Sequence, residues 1–488
     1  MSMTLLLTSS ILTAPVAAIG IAVARRHPNL REAISIVASL VLCAINIAIY
    51  QQWQATGIPP MRFGAFAPGL ELVLTVEPLG LVFALLASAL WLVTLIYAIG
   101  YMRAHEERHQ TRFFVFFALA IACVMGVAYS GNLITLFLFY EALSLSTWPL
   151  VVHAGTEEAK RGGRIYLGLL LSTSIGLFLP AIILTWWLSG SVTFTPGGLL
   201  PPNLHDGWLA LLLLLFVLGV GKAAIMPVHR WLPAAMVAPT PVSALLHAVA
   251  VVKAGVFTIA KIGLYVFGLE QLSVVGSREM LLYLCGFTVI AASLVAMRED
   301  NLKARLAYST ISQLAYITVG ILLAVPLAVT GAGMHIAMHA VAKITLFFCA
   351  GAILVASHKT RVSQLRGIGR QMPLTMTAFF IASVGIAGLP PTGGTWSKWY
   401  LVLGSLEAGA WAVAIALLCS SILTLIYLTM IPVQAFWPGG GVQQRREAPW
   451  PCLLAIGVTT AATLALFFFP EGLYSLVTQA SGGSYRGQ

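Results

Sequence analysis

The chain has 488 residues, of which 59% are apolar and only 9% are charged, and its formal net charge is +11. Soluble domains typically spend about a quarter of their residues on charged side chains, so this composition excludes an ordinary water-soluble enzyme. The basic excess does not indicate nucleic-acid binding, because the basic residues follow the loops of a membrane topology.

Apolar runs of roughly 17 to 28 residues recur along the whole chain, and each could cross a hydrocarbon core of ~30 Å as a helix. The sequence therefore predicts an all-α polytopic membrane protein, a single membrane domain over residues 1–488. About fourteen transmembrane helices are predicted, starting near residues 4, 32, 79, 113, 131, 165, 208, 241, 281, 306, 331, 373, 408 and 450. The first run lacks a preceding basic region, which predicts a retained span rather than a cleaved signal peptide.

The distribution of basic residues among the loops distinguishes the two sides of the membrane. Nineteen Lys and Arg fall in loops after odd-numbered spans, whereas only Arg62, Arg278 and Arg486 fall in the other loops and the tail. Cytoplasmic loops collect basic residues, so both termini are predicted on the outer side of a bacterial-type inner membrane. The remaining five lysines (Lys222, Lys253, Lys261, Lys343 and Lys398) lie within apolar segments.

Glu141 and Lys222 are ionisable groups within predicted spans, where charge is costly and most often marks an ion or proton path. Glu141 shares a helix face with Ser144, and its alternative role is a structural carboxylate held by hydroxyl donors. Lys222 precedes Pro227 and Pro233, which predict a helix break, and snorkelling is its alternative. A broken helix survives in a bilayer only where it faces protein or a water-filled cavity.

Further basic residues occupy two later spans. Lys253 is mid-span with His247 before it, whereas Lys261 lies near the outer end, where snorkelling and a buried role are equal alternatives. His335, His339 and Lys343 stand at i, i+4 and i+8, which stacks three ionisable side chains on one helix face. Packing alone does not explain that register, and histidine passes protons readily near neutral pH. A proton relay through His247, His335 and His339 is therefore predicted.

A second interrupted span carries Lys398, since Pro390 and Pro391 break the apolar run before it. Two interrupted spans in corresponding places predict an internal repeat, with halves at residues 113–265 and 281–436. The titratable groups together predict proton translocation, with Glu141 and Lys222 as the switch.

The chain offers no internal energy source. It contains no Walker A loop, no dinucleotide fingerprint and no metal-ligand spacing, and its six cysteines are scattered singly. No cofactor and no metal are therefore predicted. The chain is expected to work with other membrane subunits of a larger complex and to contact lipid. Protons are the predicted transported ion, and Na⁺ is a further candidate.

Several stretches resemble the proton-conducting antiporter-like family, which includes the L, M and N subunits of complex I, the A and D subunits of Mrp-type Na⁺/H⁺ antiporters, and membrane subunits of energy-converting hydrogenases. The stretches are FYEALSLSTWPLV, GKAAIMPVHRWLPAAMVAPTPVSALLHAVAVVKAGVF, NLKARLAYSTISQLAYITVGI, HIAMHAVAKITLFF and GIGRQMPLTMTAFFIASVGIAGLPPTGG. The resemblance implies fourteen helices, two inverted five-helix repeats, broken helices 7 and 12 and no redox cofactor. It also implies an ion pair between Glu141 and Lys222, a central hydrophilic axis with Lys253 and Lys343, and a terminal lysine at Lys398.

The resemblance favours a D-like member of an Mrp-type antiporter. The L and A types carry long C-terminal extensions that are not seen here, and the M type usually has Glu where this chain has Lys398. The alternatives are an N- or M-like subunit of complex I or a hydrogenase membrane subunit, in which case redox chemistry would drive the protons. A scaffold that has lost conduction is a further alternative.

Overall fold

The computed structural model describes residues 3–57, 60–67, 70–437 and 445–482, and almost all of them are helical. The first half contains α1 (Met3–Val23), α2 (Pro28–Thr56), α3 (Pro78–Ala104), α4 (Gln110–Ala128), α5 (Leu133–Val151), α6 (Glu157–Ser189), α7 (Asp206–Gly219) and α8 (Val251–Lys261). The second half contains α9 (Arg278–Arg298), α10 (Leu302–Leu322), α11 (Pro326–Ser357), α12 (Pro373–Ala387), α13 (Gly394–Glu407), α14 (Trp411–Phe436), α15 (Trp450–Phe468) and α16 (Glu471–Ala480).

Helix starts follow local sequence signals. Asn132 caps α5, since its side-chain oxygen accepts a hydrogen bond from the Thr135 amide at 2.7 Å, and Asn301 caps α10 in the same way at 3.1 Å. Proline occupies the first position of α2, α3, α11 and α12, where its missing N–H costs no helical hydrogen bond. These signals place each helix start without help from distant residues.

A helical segment begins near each predicted start. The largest difference is eight residues, where a start predicted at 165 lies at Glu157. Ten helices of the described residues are long and apolar enough to cross a membrane. Helices α7, α8 and α12 are shorter, and α10 is not among those ten, so the number of fourteen crossings stays a prediction. The two repeats, residues 113–265 and 281–436, also stay a prediction.

Both proline-containing breaks are present. Between α7 and α8 the chain forms short turns at Gly221–Ala223 and Val228–Arg230, then a short helix at Thr240–Ala244 and a π-helical turn up to α8. Pro227 and Pro233 lie in this break. Pro390 and Pro391 lie in the shorter break between α12 and α13. Each break brings non-helical backbone into the interior of the bundle.

The sequence did not predict a β-hairpin between α2 and α3. Strand β1 (Met61–Ala67) pairs antiparallel with β2 (Leu70–Leu74), with Met61 opposite Leu74. The hairpin is fixed to the bundle because the Val73 amide donates to the Thr135 hydroxyl of α5 at 2.8 Å. It therefore holds the start of α5 in place.

The core lies around α11. In its most apolar stretch 83% of residues are buried, compared with 33% in α2, so α11 is central and α2 is peripheral. The outer faces of α1 and α2 expose large apolar side chains, such as Val16, Ile19 and Val37, which suits contact with lipid. The ionisable residues His335, His339 and Lys343 of α11 are consequently buried inside the bundle, away from its apolar outer faces.

Candidate functional site

Lys222 lies in the break after α7. The helix ends at Gly219, a single turn carries Lys222, and Ala224 adopts a left-handed conformation with φ 55°. The Lys222 side chain is completely buried, and its Nζ donates to the Tyr140 carbonyl at 2.8 Å and to the Ser144 hydroxyl at 2.7 Å. The Lys222 amide also donates to the Tyr140 hydroxyl at 3.1 Å. Helix α5 thus holds both the backbone and the ammonium group of Lys222.

Glu141 stands beside these partners on α5. Its two carboxyl oxygens are buried and have no hydrogen-bond partner among the described residues. The Lys222 ammonium is bonded to residues on either side of Glu141 in the helix rather than to the carboxylate itself. Buried polar atoms without partners are rare in proteins and call for a functional explanation. The described ion pairs within 4 Å do not include Glu141 with Lys222, so the carboxylate remains available to accept a proton or a hydrogen bond.

Lys253 and His339 form the centre of the site. Lys253 on α8 and His339 on α11 are both buried, and Lys253 Nζ is 2.6 Å from His339 Nδ1. If the ammonium donates to Nδ1, the imidazole is neutral and its proton is on Nε2. That Nε2 atom is buried and has no partner among the described residues. One proton therefore lies between Lys253 Nζ on α8 and His339 Nδ1 on α11.

His335 lies one turn before His339, and their ring centroids are 5.7 Å apart. Its Nε2 is 3.1 Å from the Gln313 side-chain oxygen, an acceptor, so Nε2 carries the proton. Its Nδ1 is 2.9 Å from the Ser397 hydroxyl of α13. His335 consequently links the central pair to the helix that carries Lys398.

Lys343 is the third residue of the predicted face. It is completely buried, and its Nζ donates to the Ser309 hydroxyl of α10 at 2.7 Å. No carboxylate lies within 4 Å of this ammonium among the described ion pairs. An ammonium held only by a hydroxyl in the interior is a costly arrangement, which favours a role in proton transfer over one in stability.

Lys398 lies just after the second break. Its Nζ donates to the Ala387 carbonyl at 3.3 Å and to the Ser421 hydroxyl of α14 at 3.0 Å. The ammonium also lies 4.6 Å from the centre of the Tyr316 ring. It borders a cavity of about 430 Å³ whose other lining residues are mostly apolar, among them Leu389, Trp399 and Ile422. Lys398 is the one lysine of the set with measurable exposure, 6%.

Of the predicted residues, only Lys253 and His339 are joined by a described hydrogen bond. The His335 ring lies 5.7 Å from that of His339, and its Nδ1 contacts the helix of Lys398 through Ser397. No described hydrogen bond joins Lys222 to Lys253 or Lys343 to His339. The segments of Lys222 and Lys253 meet through backbone instead, because Gly255 packs directly against the Lys222 main chain. The side chain of His247 lies outside the described part of the structure, so its predicted relay role is not placed.

Lys261 does not snorkel to the membrane surface, which was one of the two alternatives for it. It is completely buried, and its Nζ contacts Glu77 Oε2 at 2.6 Å and the Ser130 carbonyl at 2.8 Å. Glu77 immediately precedes the proline that starts α3, so in the sequence it resembles a loop residue. Only the fold shows that this acid neutralises Lys261.

The polar partners of the lysines were also missed from sequence. The Tyr140 carbonyl and the Ser309 and Ser421 hydroxyls accept hydrogen bonds from the ammonium groups of three different lysines. A periodic signal existed for α10, where Ser309, Gln313 and Tyr316 recur on one face. Among the described residues no group of three or more His, Cys, Asp or Glu side chains is arranged to hold a metal ion.

Sequence comparisons place this arrangement among known membrane proteins. Residues 130–424 match the family described as "NADH:quinone oxidoreductase/Mrp antiporter, TM". The chain is 32% identical to the N subunit of NADH-quinone oxidoreductase from Desulforudis audaxviator, over 92% of this chain and 91% of that protein. It is 26% identical to the D subunit of the Na⁺/H⁺ antiporter from Alkalihalophilus pseudofirmus, over 93% and 92% of the two chains.

The fold is also shared with a solved complex. A chain of the Mrp complex from Dietzia sp. superposes with a TM-score of 0.86 at 21% identity, covering 100% of this chain and 98% of the other. At that identity the likeness concerns the fold. The helical architecture of this chain is therefore an established one.

Proposed function

Because this chain belongs to the NADH:quinone oxidoreductase/Mrp antiporter membrane family, we propose that it is a proton-translocating, antiporter-like subunit of a multisubunit membrane complex. The observation that carries the proposal is the set of buried basic side chains, Lys222, Lys253, His339, Lys343 and Lys398, in an otherwise apolar bundle. Such groups are costly in a membrane interior, and a proton path is the usual reason for them.

The Glu141 carboxylate and the Lys222 ammonium form the proposed switch. A lysine away from water keeps its proton more easily when a carboxylate is near and releases it more easily when the carboxylate is withdrawn or neutralised. The unpartnered oxygens of Glu141 supply that control, and the broken helix lets Lys222 change position relative to α5. Proton release from Lys222 then follows from a change at Glu141.

The released proton passes along the centre of the bundle. Lys253 and His339 exchange it across the 2.6 Å contact, and His335 and Lys343 extend the relay along α11. Lys398, beside the second break, is the terminal group of the line. No described side-chain hydrogen bond bridges the step between Lys222 and Lys253, which is assigned to water or to motion of the break. The steps from His339 to His335 and to Lys343 are likewise assigned to water.

Two types of complex are candidates for this subunit. An Mrp-type monovalent cation (Na⁺)/H⁺ antiporter, with this chain as its D-like member, is supported by the end-to-end match to the D subunit of such an antiporter. An N-like subunit of complex I is the second candidate, favoured by the 32% identity to an N subunit. Both place the chain beside other membrane subunits, with protons as the transported ion.

Topology and localisation complete the proposal. The nineteen basic residues in alternate loops support a bacterial-type inner membrane location with both chain ends outside. Each half also contains one break with a lysine beside it, Lys222 in residues 113–265 and Lys398 in residues 281–436, which supports two inverted repeats.

The test uses the intact complex, purified with its partner subunits and reconstituted into vesicles with an internal pH indicator. Glu141→Gln keeps the size of the side chain but removes its charge, and we expect proton flux to fall by about two orders of magnitude, as for the loss of an acid–base group. Lys222→Ala should lose flux as well.

Glu407→Gln is the matched control, because this exposed carboxylate lies at the end of α13, away from the line. Full flux in assembled Glu141→Gln complex would overturn the assigned switch. Identifying the co-purifying subunits, and repeating the assay with a Na⁺ gradient and then with NADH and quinone, separates the two candidate complexes.

A further inference from the structure

A cavity of about 430 Å³ lies beside α13 and α14, next to the second break, and the proposed relay uses only the lysine at its edge. We call it the lateral cavity. Its volume falls in the range of about 300–1,000 Å³ that is usual for small-molecule sites. Each of the two helices lines it with residues at i, i+3, i+4 and i+7, which form one helix face. These residues are Thr395, Lys398, Trp399 and Val402 of α13 and Leu418, Ser421, Ile422 and Leu425 of α14.

The outer part of the lateral cavity is apolar and faces the bilayer. Among its lining residues, Trp399 is 57% exposed, Ile422 is 60% exposed and Leu418 is 51% exposed. Large apolar side chains on the outer surface of a membrane bundle contact lipid chains. An apolar chain can therefore enter the lateral cavity sideways from the bilayer.

The inner part of the lateral cavity carries a positive charge. Lys398 is the only charged residue among the described residues that line it. The described acceptors of its ammonium are the Ala387 carbonyl and the Ser421 hydroxyl, and the Tyr316 ring lies 4.6 Å away, so these neighbours are all uncharged. A buried cation held by neutral groups is costly, and an anion beside it would lower that cost.

A second polar group of the lateral cavity has no partner. Thr395 Oγ1 is buried and has no hydrogen-bond partner among the described residues. Thr395 lies three residues before Lys398, so its hydroxyl and the ammonium are on the same face of α13. It also belongs to the first turn of this 14-residue helix, where the helix dipole favours negative charge. An anion with two oxygen atoms could accept hydrogen bonds from both side chains.

The depth of Lys398 restricts the kind of anion. Helix α12 has 15 residues and α13 has 14, so the break between them lies roughly 20 Å from the far end of either helix. That is well inside a hydrocarbon core of ~30 Å, where the phosphate of a membrane lipid does not reach. A carboxylic acid can enter this region in its neutral form, whose burial costs far less than that of a charged group.

We propose that the lateral cavity binds a long-chain carboxylate, a free fatty acid taken from the bilayer, with its carboxylate at Lys398 and Thr395 and its chain between Trp399 and Ile422. Binding itself requires only the residues of the lateral cavity. Its consequence for transport rests on the proposed function and deepens it, because the ligand then regulates the terminal lysine of the relay.

The binding step is a single proton transfer. The acid enters protonated and meets Lys398 in its neutral state. The O–H bond of the acid breaks and its proton forms the third N–H bond of Nζ, which leaves a carboxylate beside an ammonium. Since a neighbouring carboxylate stabilises the charged form of lysine, Lys398 then releases its proton less readily. A bound fatty acid therefore acts as a brake on proton flux.

Binding is measured on the intact complex, purified in detergent, with radiolabelled palmitate as the probe. We expect saturable binding for which hexadecanol, with the same chain but no charge, competes at least about tenfold less well. Lys398→Met removes the charge and should weaken palmitate binding at least about tenfold, as for the loss of a hydrogen bond to a charged group. Thr395→Val leaves the charge in place and should weaken it about fivefold, as for the loss of one typical hydrogen bond.

Two controls remove the same groups elsewhere in the chain. Lys160→Met alters an exposed lysine of α6, and Thr460→Val alters a hydroxyl of α15 that donates to the Ile456 carbonyl of its own helix. Both variants should bind palmitate as the unaltered complex does. Where Lys398→Met does not assemble, Thr395→Val and the comparison with hexadecanol test the site.

The brake is measured as proton flux in vesicles that contain the complex, at increasing palmitate, with the rate of protein-free vesicles subtracted. Flux through the unaltered complex should fall as palmitate saturates the site. Thr395→Val should need about five times more palmitate for the same fall. A merely structural role of Thr395 would change the flux without palmitate but not the palmitate concentration that halves it.

The outcomes separate the site from the proposed function. Equal binding of hexadecanol and palmitate, or equal palmitate binding by Lys398→Met and the unaltered complex, overturns the site and leaves the proposed function intact. A phosphatidylglycerol that competes as well as palmitate, or a partner subunit that cross-links to Trp399→Cys while no palmitate binds, overturns it in the same way. Binding that depends on Lys398 in a complex without proton flux supports the site and overturns the proposed function.

Discussion

The two interrupted helices hold their lysines in different surroundings. Lys222 is completely enclosed, with its ammonium held by Tyr140 and Ser144 and an acid of the same chain, Glu141, beside those partners. Lys398 is held by a carbonyl and a hydroxyl that have no acid next to them in their helices, and it borders a cavity of about 430 Å³. Among the described ion pairs neither lysine has a carboxylate within 4 Å. Lys222 is therefore surrounded by protein on all sides, whereas one side of Lys398 faces a cavity.

This difference suggests separate roles for the two breaks. A lysine with an acid nearby can be switched from within, and a lysine beside a cavity can respond to whatever occupies that cavity. The break at Lys222 is therefore suited to control, and the break at Lys398 to exchange with the surroundings. Substitutions at and beside the two breaks test how far this comparison holds.

The largest expected effect comes from arginine substitutions at both lysines. Lys222→Arg places a larger guanidinium in a fully enclosed position, and overpacking of this kind typically costs ~1–3 kcal/mol, so assembled complex should be scarce. Lys398→Arg can extend into the adjacent cavity and should assemble normally.

Arginine keeps its proton throughout, so flux should be lost in both variants. Yield after size-exclusion chromatography and the thermal unfolding midpoint measure assembly. Equal stability of the two variants would remove the distinction between an enclosed lysine and an open one.

A smaller effect is expected from Gly388→Ala. Gly388 has φ 86°, where an alanine costs roughly 1–2 kcal/mol, and the added Cβ would lie 2.5 Å from Lys398 Cδ. Gly409→Ala is the matched control, because Gly409 also has a positive φ but no atom near the added Cβ.

Backbone strain alone lowers the unfolding midpoint in both variants, but only Gly388→Ala should also reduce proton flux, since it displaces Lys398. Equal flux in the two variants would show that the position of Lys398 is not critical.

The smallest effect is expected at Ala224, which supplies the left-handed residue of the first break where Gly388 supplies it in the second. Ala224→Gly relieves strain of about 1 kcal/mol but makes the unfolded chain more flexible by a similar amount. The free energy of unfolding should change by less than ~0.5 kcal/mol. A large stabilisation, measured by chemical denaturation, would show that the first break is held under strain.

Much of the fold could be predicted from sequence because its signals are local. Apolar runs located the helices, and Pro390 and Pro391 located the second break. The register of His335 and His339 on one face follows directly from helix periodicity, and the structure places their rings side by side.

The partners of the lysines could not be predicted, because they depend on which helices pack together. Serine and tyrosine are ordinary in membrane helices. The recurrence of Ser309, Gln313 and Tyr316 marks one polar face of α10 but does not identify Lys343 as the partner of Ser309. Glu77 is hidden for a related reason, since it lies outside the apolar run of α3 and meets Lys261 only in the folded chain.

The contact between Gly255 and the main chain of Lys222 has a mechanical consequence. A glycine in α8, two residues after Lys253, touches the turn that carries Lys222 so closely that no side chain fits between them. A displacement of the turn at Lys222 toward α8 would therefore push against the helix that carries Lys253. This backbone contact couples the two basic groups although no described side-chain hydrogen bond joins them.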